Sequence, residues 1–140
     1  MVEKISHIGV AVRSLEEQIP FYRDVLGLDF AGTETVEDQK VKVAFFNVGD
    51  TRIELLEPLS DESPVSAFIE KRGQGVHHIA YRVKDCASSL KKMEEAGLRL
   101  IDKAPRTGAG GDRIAFLHPK STFGILTELT EEHEAQEQGE

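Results

Sequence analysis

The chain has one cysteine, Cys86, in 140 residues. A single thiol forms no intrachain disulfide and builds no Cys-rich zinc site, and it suits a reducing compartment. No apolar run approaches the ~20 residues of a membrane-crossing helix. Met1-Val2-Glu3-Lys4 opens a short alternating segment rather than the apolar stretch of a signal peptide. Basic residues are in deficit: 17 Lys and Arg against 25 Asp and Glu give a formal charge of −8. That sign argues against general affinity for nucleic acid or anionic membrane, while a small anionic ligand can still meet a local basic patch. The expectation is a soluble, cytoplasmic, acidic domain. The hydrophobic fraction of 39% is enough for a core, and the length fits one compact domain.

What the sequence does contain is a faint internal repeat. Ile5-Ser6-His7-Ile8-Gly9-Val10-Ala11-Val12 returns 71 residues later as Val76-His77-His78-Ile79-Ala80-Tyr81-Arg82-Val83. Each copy is followed by a basic residue, Arg13 or Lys84, and a polar helix starter, Ser14 or Asp85. Each following helical stretch closes on Gly-Leu, at Gly27-Leu28 and Gly97-Leu98, and Ile53-Glu54-Leu55 matches Thr127-Glu128-Leu129. Both halves read strand, helix, then three strands. In the first, Ser14 is the expected N-cap, Gly27 the C′ residue, and Pro20 a source of irregularity. Gly49-Asp50 marks a hairpin turn between strands at Val41–Val48 and Thr51–Glu57. Ser63-Pro64 starts a helix in the linker. In the second half a strand is expected at 76–83, a helix at 86–96, and strands near 98–103, 112–118 and 124–130. The organisation expected is a single domain over 1–131, with modules at about 1–60 and 75–131, a helical linker at 61–74, and a disordered acidic tail at 132–140.

Strand parity points to chemistry. Ile8, Val10 and Val12, like Ile79, Tyr81 and Val83, form a bulky face suited to packing against a helix. The opposite faces carry His7 and His78 at equivalent positions, each followed by a small residue, Gly9 or Ala80, which leaves room for a ligand. His77 falls on the helix-packed face and reads as structural. Glu54 and Glu128 are also equivalent, and a carboxylate in mid-strand is costly if buried without a partner. A single strand histidine is more often an ordinary core residue. Two histidines and two glutamates at repeat-equivalent positions have a common explanation: a divalent metal at a pseudo-twofold centre. His118 precedes Pro119 and fits a turn-positioning role, or contact with substrate. Cys86 opens a helix without an evident base partner and reads as packing. Gly108-Ala109-Gly110-Gly111 lacks the Gly-Lys-Ser/Thr of a phosphate loop.

Over residues 4–131 the chain resembles the methylmalonyl-CoA epimerase family of the vicinal oxygen chelate (glyoxalase/bleomycin resistance/dioxygenase) superfamily. The resemblance is carried by His7-Ile8-Gly9-Val10-Ala11-Val12, Phe21-Tyr22-Arg23-Asp24-Val25-Leu26-Gly27, Glu54-Leu55-Leu56-Glu57-Pro58, Gly75-Val76-His77-His78-Ile79-Ala80, and His118-Pro119-Lys120 leading to Gly124-Ile125-Leu126-Thr127-Glu128-Leu129. It implies an α+β fold of two pseudo-symmetric βαβββ modules, a cupped mixed sheet around a metal site with the helices outside. It also implies a divalent ion, cobalt first, with manganese, nickel or zinc as substitutes. Ligand roles pass to His7, His78 and Glu128; the fourth family position, often glutamine, is Glu54 here. The implied reaction is epimerisation of an acyl-CoA at the carbon between thioester and carboxylate, with Glu54 and Glu128 as the two bases. Lys120, Arg113 and His118 are candidates for substrate contact, with Lys71 and Arg72 as further cations for the CoA phosphates. A homodimer is expected by family analogy. A lactoylglutathione lyase-like isomerase is the nearest rival; an iron-dependent extradiol dioxygenase and a ligand-sequestering protein of the same fold are others.

Overall fold

A computed structural model describes residues 1–133. Most of the tail expected from 132 onward therefore lies outside the described residues. The two tail residues that are described hold contacts. Ser6 Oγ donates to Glu132 at 2.9 Å, and the His133 amide donates to Asp112 at 2.7 Å.

The fold is α+β. Strands β1 (Val2–Ala11), β2 (Asp29–Val36), β3 (Val41–Val48), β4 (Thr51–Pro58), β5 (Gly75–Val83), β6 (Arg106–Thr107), β7 (Arg113–Leu117) and β8 (Thr127–Glu131) form one mixed sheet. Its strand order is β2-β3-β4-β1-β5-β8-β7-β6. The helices are α1 (Leu15–Pro20), α2 (Pro64–Arg72) and α3 (Cys86–Glu95). In each half the first strand runs parallel to the last, β1 beside β4 and β5 beside β8, and the hairpins are antiparallel. Contacts within the chain define two compact units, His7–His78, and Met1–Ser6 with Ile79 onward. Both divisions fall inside a strand, β1 or β5.

In the unit His7–His78, Val12, Leu15, Ala44, Phe46 and Leu55 form the core, with Tyr22, Phe30 and Ile53 packed against it. Ser14 caps α1 by accepting the Glu17 amide at 3.1 Å. Pro20 has the effect expected of a residue with no N–H. The α-helix ends there and continues as a π-helical turn over Phe21–Val25, in which the Leu26 amide reaches back to Phe21 C=O at 2.9 Å. Gly27, at φ 74°, then ends the helix, and the Leu28 amide donates to Tyr22 C=O. Ser63 caps α2 through the Val65 amide.

In the other unit, Val83, Cys86, Leu90, Ala115, Leu117 and Leu129 form the core. Asp85 caps α3 by accepting the Ser88 amide at 3.1 Å. The strand expected near 98–103 is reduced to one bridge, Leu100 to Leu117. A side chain is the reason: Asp102 Oδ2 takes the Phe116 amide at 2.8 Å, while the Ile101 and Asp102 amides share the Phe116 carbonyl. The regular pairing falls instead at Arg106–Thr107. Strand β8 begins at Thr127 rather than 124 because the preceding segment is folded on itself. Thr122 Oγ1 and Thr127 Oγ1 both donate to the Ile125 carbonyl. No helix among the described residues is long and apolar enough to cross a membrane.

Candidate active site

His7 lies on β1 and His78 on β5; both are buried. Their Nε2 atoms face each other at 3.2 Å, and the rings meet edge to face at 88°. A further nitrogen contact holds His78 from behind, where its Nδ1 lies 2.9 Å from His77 Nδ1. The His77 ring packs against Phe68 of α2, with centroids 5.0 Å apart, so His77 does sit on the helix-facing side.

Glu54 on β4 is 3% exposed. Arg52, two residues earlier on the same face of the strand, grips its Oε2 with Nη2 at 2.9 Å and Nε at 3.2 Å. The Nδ1 of His7 lies 3.5 Å from the same oxygen. All three contacts fall on Oε2, so Oε1 is engaged by none of them. The parallel register sets Glu54 opposite Gly9. The space beside Gly9, expected to be open for a ligand, is filled by a ligand candidate's own ring. A Cβ added at Gly9 would lie 2.3 Å from His78 Cε1. Glycine is therefore required here by the approach of the imidazole.

In the other unit, Glu128 on β8 is also 3% exposed. Its register partner on β5 is Ala80, so each glutamate sits across from the residue two positions after a histidine. Glu128 Oε2 accepts a 2.5 Å hydrogen bond from Thr130 Oγ1, whose residue is fully buried. His118 caps the turn Pro119–Ser121 by accepting the Lys120 amide on Nδ1 at 3.1 Å, which is the turn role read from the sequence. Burial, with the positive charges of Arg99 and Lys120, holds its imidazole below the usual histidine range. Lys120 is exposed on that turn, and Arg113 is exposed at the start of β7, opposite Glu131. Cys86 is buried in the core, and burial, aided by Glu131, pushes its thiol up to about 11. It is a packing residue.

The donor chemistry fits a divalent metal. An ion about 2.0–2.1 Å from two imidazole nitrogens sets them about 2.9 Å apart at a right angle and about 3.3 Å apart in a tetrahedron. The 3.2 Å between the His7 and His78 Nε2 atoms falls in that window. An imidazole behind the Nδ1 of His78 supplies an orienting partner of the kind such ligands usually have.

Sequence reasoning singled out His7, His78, Glu54 and Glu128 through the repeat, and all four are buried. It did not reach the Arg52–Glu54 ion pair, and it placed His77 without its contact to His78. The alternation of a strand signals faces, and it carries no sign of which side chains touch across them.

Residues 6–116 match the model of the Glyoxalase/Bleomycin resistance protein/Dioxygenase superfamily. The chain belongs to that superfamily. It is 38% identical to the ethylmalonyl-CoA/methylmalonyl-CoA epimerase of Cereibacter sphaeroides, over 92% of this chain and 98% of that one. It is 48% identical to the uncharacterised protein YqjC of Bacillus subtilis over 93% of each chain. A solved methylmalonyl-CoA epimerase, in complex with methylmalonyl-CoA and NH4+, superposes with a TM-score of 0.88 at 37% identity, covering 93% of this chain and 94% of that one. Within the superfamily the chain thus groups with the epimerases, which are isomerases.

Proposed function

We propose that the chain is a divalent-metal-dependent epimerase interconverting the (R) and (S) forms of methylmalonyl-CoA. The observation that carries this reading is the buried His7–His78 nitrogen pair, with a buried glutamate at the equivalent strand position of each half. His7, His78 and Glu128 are assigned as donors to the metal, and the family resemblance adds Glu54 in the fourth position. Cobalt is the first choice of ion. When bound, the metal stabilises the negative charge that develops on the thioester oxygen as the neighbouring carbon loses its proton.

The chain's own carboxylates move that proton. One glutamate, ionised, takes the proton from the α-carbon; the other, protonated, returns one to the opposite face; the roles exchange in the reverse direction. Glu54 has its Oε2 tied by Arg52, which leaves Oε1 for the proton. Glu128 has its Oε2 held by Thr130, and its carboxylate is assigned to both metal and proton. Tying one oxygen of Glu54 limits the rotation of the carboxylate and aims the second. Arg113 and Lys120, with His118 shaping the turn that carries Lys120, are assigned to the anionic groups of the acyl-CoA. The family resemblance supports a cytoplasmic homodimer.

The test is nuclear magnetic resonance of methylmalonyl-CoA in deuterated buffer with cobalt-loaded protein. Methylglyoxal plus glutathione serves as the parallel substrate. Deuterium at the α-carbon together with isomer conversion supports the reading. Turnover of the hemithioacetal alone moves the chain to the lactoylglutathione lyase chemistry.

A further inference from the structure

His77 and His78 are neighbours on β5, and their Nδ1 atoms lie 2.9 Å apart. Two nitrogens at that distance share one proton: one ring donates and the other accepts. The choice has a consequence at the other end of each ring. If His78 Nδ1 carries the proton, His78 Nε2 is a lone pair, and it is this atom that faces His7 Nε2 at 3.2 Å. If His77 Nδ1 carries it, a neutral His78 holds its own proton on Nε2 and offers no lone pair there.

We propose that His77 is a positioning residue that accepts the Nδ1–H of His78 and so selects the tautomer in which His78 Nε2 can bind a metal. The proposal rests on the metal reading given above. The position of the His77 ring is set independently of any ligand. It stands edge-on to Phe68 of α2, with centroids 5.0 Å apart and planes at 74°, and the Arg72 guanidinium covers Phe68 at 5.8 Å. The His78 ring is confined on its other side by the backbone at Gly9, where no side chain would fit. Helix α2 thus holds His77, and His77 and Gly9 together hold His78 in one orientation. His7 is served differently, since a carboxylate, Glu54, lies behind its Nδ1 at 3.5 Å. Replacing an orienting partner of this kind weakens metal binding typically about 10–100-fold.

Two variants separate this role from packing. His77→Phe keeps an aromatic ring against Phe68 and removes the acceptor. His77→Asn gives up the ring and restores an acceptor at the position of Nδ1. Cobalt(II) affinity is measured by calorimetry on the wild type and both variants, with thermal melting of the metal-free proteins alongside. In the metal-free proteins, nitrogen-15 spectra of the histidine side chains read the tautomer directly. The expected result is a wild-type His78 protonated on Nδ1, a loss of about 10–100-fold in cobalt affinity for His77→Phe, and recovery to near wild type in His77→Asn. His77→Phe should also show a mixture of His78 tautomers. Equal cobalt affinity in wild type and His77→Phe overturns the proposal and leaves the metal reading standing, as does a wild-type His78 protonated on Nε2. Wild-type protein that takes up no cobalt overturns the metal reading and this role with it. A variant that fails to fold leaves the decision to the other variant and to the wild-type spectrum.

Discussion

His7 and His78 are separated by 71 residues of chain and by 3.2 Å between their Nε2 atoms. Each imidazole is buried, and the two rings share one hydrogen bond at that end. His7→Ala or His78→Ala removes one metal donor and the hydrogen bond between the two rings. Each variant should fold with a stability loss of about 1–3 kcal/mol and retain less than one tenth of the wild-type cobalt. Circular dichroism and metal analysis on the same samples check both halves of the expectation. Full cobalt occupancy in either variant would remove that histidine from the ligand set.

Gly9 provides a test that touches no titratable group. Its missing side chain is the space in which the His78 ring lies, and a Cβ would come within 2.3 Å of Cε1. Gly9→Ala should force the ring or the β1 backbone aside, costing about 1–3 kcal/mol as other overpacked sites do. Cobalt affinity should fall in parallel with that displacement. Unchanged stability and unchanged affinity would show that the His78 ring does not occupy this position in solution.

Glu54→Gln keeps the size of the side chain and a metal-binding oxygen, and it removes a proton acceptor. Metal content should survive. Epimerisation should fall by about 10²–10⁴ if Glu54 is one of two bases, while one isomer still exchanges its α-proton with deuterated solvent. Isomer-by-isomer resonance spectra with metal content from the same sample provide the measurement. Wild-type conversion by the metal-loaded variant would leave Glu54 as a ligand alone.

The Cys86 thiol, pushed up to about 11 by burial and by Glu131, is almost entirely protonated at pH 8. Its amide donates to Glu131 and its sulfur donates to the Leu129 carbonyl. The folded protein should resist iodoacetamide at pH 8, and alkylation should become rapid in denaturant. Mass spectrometry of timed samples gives the ratio. Rapid labelling of the native protein would contradict the core assignment of Cys86.

The sequence by itself determined the double strand–helix–three-strand order and the two pairs of chemistry-bearing residues. Both are periodic properties: alternation assigns a residue to a strand face, and the repeat equates His7 with His78 and Glu54 with Glu128. Local chemistry was equally legible at Ser14, Ser63 and Asp85, where a short acceptor precedes a helix, and at Pro20, where a missing N–H had to disturb one. The tertiary structure alone decided what those periodicities leave open. The strand at 98–103 gave way because one carboxylate, Asp102, reached a backbone amide 14 residues away. Gly9 looked like open space and proved to be the seat of a ring from a strand far along the chain. His77 looked like packing and also touches His78 through nitrogen. These outcomes depend on side-chain rotamers, and rotamers are selected by neighbours that only the folded chain brings together.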